Sequence, residues 1–198
     1  ADWTKFPSSP ALDGGIVQYN AGMKNARVSV NISAIQLKHK PLYNWVMDSL
    51  AKTGLPAHSL MLEITESCFI DASDELFNML EKLREKGVQI AIDDFGTGFS
   101  SLSVLANLPV DVLKIDIEGS EYELLKGAKN TLNKNKIKII LVEILAKKNF
   151  YIKKEKKVLN LLKKRNFTLL KKVNIPSISL FSNIRGGDYL LINKKYIK

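Results

Sequence analysis

The stretch Ile90–Asp116, IAIDDFGTGFSSLSVLANLPVDVLKID, decides how the rest of the chain is read. It opens with an apolar run over 88–92 that predicts a strand. Two carboxylates, Asp93 and Asp94, close that strand, and the loop Gly96-Thr97-Gly98 follows. The spacing then predicts a short helix over 100–106, stopped before Pro109, and a second strand over 110–117. In that strand Lys114 and Asp116 alternate with apolar residues. Two nearly continuous apolar strands joined through a helix are the pattern of a parallel sheet covered by helices.

Working outward, the same alternation continues on both sides. Strands are predicted at 27–32 (RVSVNI) and 60–65 (LMLEIT), with helices over 41–53 and 72–86. The first helix carries Leu42, Trp45, Val46 and Leu50 on one stripe and is closed by Gly54, and the second carries Leu76, Met79, Leu80 and Leu83 and is closed by Gly87. Beyond Asp116 a helix is predicted over 121–132, a strand over 137–144, a helix over 158–165, and two last strands over 167–173 and 188–193. Both a barrel and an open doubly wound sheet satisfy this order, and in either the functional edge is the C-terminal ends of the strands.

The charge balance divides the chain near Asp116. Residues 1–116 hold 10 Lys and Arg against 14 Asp and Glu, whereas residues 117–198 hold 20 against 6. The change of sign points to two sequences of different origin, 1–116 and 117–198, meeting in one α/β unit. The lysine runs at 153–157 and 163–165 read as a solvated helix face, because no aromatic interleaving or nucleic-acid motif accompanies them. No apolar run approaches the roughly 20 residues that span a bilayer. The single cysteine, Cys68, excludes an internal disulfide framework and fits a reducing, cytoplasmic setting.

Chemistry gathers on the predicted strand ends. Asn31 ends the first strand, Glu63 lies inside the second, Asp93 and Asp94 end the third, and Lys114 and Asp116 fall late in the fourth. One acid at a strand end ordinarily solvates a loop or caps a helix, and so Glu118 and Glu121 are read as helix-start acids. Oxygen ligands from four successive strands instead suit a hard divalent cation, Mg²⁺, Mn²⁺ or Ca²⁺. Beside a lysine, such a cation suits attack of water on a phosphodiester.

Three strings then carry a family resemblance: VSVNISAIQL (28–37), LEITES (62–67) and the 90–116 stretch. Together they resemble the middle of EAL domains, the cyclic di-GMP phosphodiesterases, and imply part of a TIM barrel. The resemblance implies Asn31, Glu63 and Asp93 as metal ligands for Mg²⁺ or Mn²⁺, with Asp94 and Asp116 as further ligands. It implies catalytic roles for Lys114, which would position the water, and for Glu63 and Asp94. Gly96, Thr97 and Gly98 would link the metal site to the contacts of a homodimer, and the substrate would be cyclic di-GMP, opened to a linear dinucleotide. The Glu-Ala-Leu string that begins such domains does not occur in this sequence, nor do the Ala-Glu-Gly-Val-Glu string and glutamine-bearing strand that follow. The expected activity is therefore that of a phosphodiesterase or of a degenerate relative.

A second resemblance begins at the same strand. DVLKIDIEGSEYELLKGAKNTLNKNKIKIILVEI (111–144) and GDYLLINKK (187–195) are similar to the later half of FkbM-family methyltransferases. That implies a Rossmann-like C-terminal half, with S-adenosylmethionine as the alternative cofactor, or a non-catalytic chimera of the two. If the strand over 137–144 takes the slot after LKID, Glu143 reaches the same edge and adds a carboxylate to the acidic set.

Overall fold

β-branched apolar runs and amphipathic stretches alternate in the sequence, and strands and helices alternate accordingly in a mixed α/β fold. The computed structural model describes residues 27–38, 41–69, 73–97, 108–117, 119–133, 137–175 and 184–197. The chain divides into two units, 1–92 and 93–198.

The first unit holds β1 (Val28–Ile32), α1 (Ala34–Leu37), α2 (Leu42–Thr53), β2 (Leu60–Thr65), α3 (Asp74–Glu85) and β3 (Gln89–Asp93), whose last residue opens the second unit. β1 and β2 are parallel, with Asn31 opposite Glu63 and Ile32 opposite Ile64. The predicted helix stripes face the core: Leu42, Val46 and Leu50 of α2 and Leu80 and Leu83 of α3 are buried, while Trp45 is half-buried. Gly54 ends α2 in the left-handed region, φ 70°, and its N–H donates to the Leu50 carbonyl at 2.9 Å. α1 was not predicted; Ser33 and Gln36 form a capping box across it. The expectation that RVSVNI is buried throughout is corrected. Val30 and Ile32 are buried but Ser29 and Asn31 are exposed, because only one face of β1 meets the core.

The second unit holds β4 (Val112–Ile115), α4 (Glu121–Gly127), α5 (Lys129–Asn133), β5 (Ile139–Lys147), α6 (Lys148–Lys163), β6 (Phe167–Ile175) and β7 (Ile184–Asn193). Its strand order is β4-β5-β7-β6. β4 and β5 are parallel, whereas β7 runs antiparallel to both β5 and β6. A sheet parallel throughout was expected. β7 departs from it while β6 keeps the direction of β5: β7 starts nine positions after β6 ends, and a parallel crossover needs about a dozen residues or more. Two helix boundaries also move. The span 121–132 is two short helices broken after Gly127. α6 begins ten residues before the predicted 158. Its lysine-rich first turns hide a buried stripe of Tyr151, Val158 and Leu162. The helix expected over 100–106 lies outside the described residues, and no helix among the described residues is long and apolar enough to cross a membrane.

Candidate functional site

In the first unit the parallel register sets Asn31 directly beside Glu63. Paired residues of a parallel ladder point to one face, so the amide and the carboxylate share a face of β1 and β2. Asn31 is exposed, and Glu63 is buried. Glu66, in the single turn Glu66–Phe69 after β2, is also buried.

In the second unit Asp93–Thr97 form a tight turn held by local hydrogen bonds. The Asp94 N–H donates to Asp93 Oδ1 at 3.1 Å, the Phe95 N–H to the Lys114 carbonyl at 3.1 Å, and Thr97 Oγ1 to the Asp94 carbonyl at 2.9 Å. Asp94 sits at φ 52° and Gly96 at φ 100°, both in the left-handed region. Gly96 is required for a second reason. A Cβ there would stand 2.8 Å from Leu124 Cδ2 and 3.2 Å from Ile117 Cγ2. Lys114 Nζ reaches Asp93 Oδ2 at 3.2 Å, so β4 delivers the ammonium to the carboxylate that ends β3. Gly98, the third residue of the expected loop, lies outside the described residues.

Asp116 follows β4 and is exposed. With Gly96, Thr97 and Ile117 it lines an open depression of about 410 Å³. Its carboxylate hydrogen-bonds the Glu143 carboxyl of β5. Burial first, then this bond and the charges of Asp116, Asp188 and Glu121, push Glu143 up from 4.5 to about 7. Asp188 of β7 is the register partner of Glu143. Nothing in the sequence pairs Asp188 with this edge, because that neighbour depends on the antiparallel insertion of β7.

Glu121 stands in the first turn of α4, where a helix-start acid was expected, and accepts the Gly119 N–H at 2.8 Å. It is also fully buried and forms an ion pair with Lys154, so it ties α4 to α6. Glu118 lies outside the described residues.

Carboxylates and one amide are donors that fit a hard cation such as Mg²⁺ or Mn²⁺. Among the described residues, however, no group of three or more His, Cys, Asp and Glu side chains is arranged to hold a metal ion.

A family profile described as the EAL domain matches residues 16–132, more than half of the chain. The chain belongs to the EAL domain family. Among curated proteins it is 46% identical to the cyclic di-GMP phosphodiesterase NbdA of Pseudomonas aeruginosa, over 48% of this chain and 12% of that one. It is 45% identical to the oxygen sensor protein DosP of Escherichia coli, over 45% of this chain and 11% of that one. The EAL segment thus spans a small part of the length of these relatives. Among solved structures it is similar to the PaMucR phosphodiesterase in complex with c-di-GMP, with a TM-score of 0.51 and 34% identity over 63% of this chain and 51% of that one. It is also similar to Klebsiella pneumoniae BlrP1 in its manganese and cy-diGMP complex, with a TM-score of 0.53 and 27% identity over 67% and 36% of the two chains. A second profile, described as the methyltransferase FkbM domain, matches residues 100–169 and so shares 100–132 with the EAL match.

Proposed function

We propose that this chain is an EAL-type relative of the cyclic di-GMP phosphodiesterases that binds the dinucleotide and either hydrolyses it to the linear form or, as a degenerate relative, only holds it. The observation that carries the reading is the Asp93–Thr97 turn with Lys114 held on Asp93. A fixed ammonium beside a carboxylate can hold a phosphate oxygen or orient a water. Asp93, Asp94 and Asp116 of the second unit are proposed oxygen ligands for Mg²⁺ or Mn²⁺ on the family resemblance, and Asn31 and Glu63, proposed ligands on the same ground, belong to the first unit. The Gly96–Gly98 loop is proposed to mediate a homodimer, as the resemblance implies.

Thermal-shift measurement with Mn²⁺ and cyclic di-GMP, followed by chromatography for the linear dinucleotide, tests this. A rise in Tm is expected, since a ligand stabilises the state that binds it, and the presence or absence of product separates the enzyme from the degenerate relative. No shift at millimolar ligand would overturn the reading.

A second reading concerns residues 117–198. The profile match to 100–169 and the antiparallel β7 in the order β4-β5-β7-β6 support a Rossmann-like, FkbM-derived half, because doubly wound sheets commonly carry one antiparallel strand. A Tm rise with S-adenosylmethionine in place of cyclic di-GMP would favour the methyltransferase. A shift with neither would favour a chimera without activity.

A further inference from the structure

The second unit has another cavity, of about 280 Å³, between α4 and α6, near the lower end of small-ligand clefts at roughly 300–1,000 Å³. None of the proposed phosphodiesterase ligands lines it. Phe150, Lys153 and Lys157 rise along one stripe of α6, and Tyr122 of α4 stands across from them. Phe150 is 63% exposed and lines the cavity.

The three lysines are not equivalent. Lys154 is committed: it pairs with buried Glu121 and donates to the Leu145 carbonyl at 2.7 Å. Lys153 and Lys157 are exposed, and among the described residues neither pairs with a carboxylate. Lys157 instead lies 5.5 Å from the centroid of the Tyr122 ring. Glu123 contributes an exposed carboxylate to the lining. Gly119, at φ 119°, adds no side chain to the wall.

Two ammoniums without a carboxylate partner among the described residues call for a dianion, and lysines bind phosphate as point charges. The exposed ring beside them calls for a flat aromatic group, since bases stack on aromatic side chains whatever their sequence. We propose that this cleft binds a nucleoside monophosphate, with the phosphate on Lys153 and Lys157 and the base on Phe150 and Tyr122. A lipid surface fits less well, because the rings and ammoniums line a concavity whereas a bilayer needs them on a convex face. The inference does not rest on the phosphodiesterase reading.

Equilibrium dialysis and calorimetry with adenosine 5′-monophosphate on the full chain test it. Wild-type protein should bind, and the double variant Lys153→Gln/Lys157→Gln should bind about tenfold or more weakly. Phe150→Ala should weaken binding about fivefold, and inorganic phosphate or adenosine alone should bind roughly tenfold more weakly than the intact ligand. Glu123→Gln should tighten it. All four positions project at the surface or rim, so circular dichroism should stay unchanged. Absent binding by folded wild type, equal binding by the lysine variant, or equal affinity for phosphate alone overturns the proposal. So does capture on phosphatidylserine vesicles without nucleotide binding, which would make the cleft part of a membrane-facing surface.

Discussion

Gly96 and Glu143 show how much one position can carry. A methyl group at Gly96 would drive into Leu124 and Ile117 while keeping a backbone angle that L residues rarely adopt. Gly96→Ala should therefore lose about 1–3 kcal/mol in a urea titration. Glu143 acts through protons. Its folded value, about 7, lies above its ordinary 4.5, so the folded state holds a proton that the unfolded state releases. The contribution is full below 4.5 and is lost as pH rises through about 7. With a chelator present, wild-type stability should fall across that window. Glu143→Gln, which keeps a neutral hydrogen-bonding group beside Asp116, should flatten the fall. An unchanged slope in the variant would assign the pH dependence to other groups.

At the scale of elements, α4 and α6 are joined through a buried charge. Glu121 is wholly enclosed and the Lys154 side chain is 16% exposed, and the pair is a polar link between the two helices. Removing one partner of such a pair leaves an unpaired buried charge, which typically costs about 3–5 kcal/mol. Lys154→Met should lower the denaturation midpoint accordingly. The double change with Glu121→Leu should recover part of the loss, which denaturant titration of both variants will measure. This pair was not legible in the sequence. Glu121 stands where helix-start acids commonly stand, and Lys154 is one lysine in a run of similar residues. Only the packing of α6 back over α4 distinguishes either of them. The Asp93–Thr97 turn was legible for the opposite reason: its bonds run mostly between residues one to three apart, so a short string specifies them.

Across the whole molecule, the open edge of the second unit has the widest consequence. β6 ends the strand order of that unit, spans nine residues, and exposes Leu169, Leu170 and Val173. A long apolar edge is a template for pairing with other chains, tempered here by Lys171, Lys172 and a register shift between Leu169 and Lys171. Leu170→Lys should reduce concentration-dependent light scattering severalfold without moving the Tm by more than about 1 °C, because surface changes away from packed groups cost little. Equal scattering would mean that the edge is already protected.

The sequence alone determined the order and most spans of the elements, the core stripes of α2 and α3, the EAL resemblance and the change of charge near Asp116. These follow from local periodicity and from contiguous strings, which survive without knowledge of distant neighbours. Tertiary structure alone decided that β7 inserts antiparallel between β5 and β6, that Asp188 thereby stands beside Glu143, and that Glu121 is buried against Lys154. It also decided that β1 shows one face to solvent. Each of these depends on which strand or helix packs against which, and residues far apart in the chain carry no local mark of that pairing.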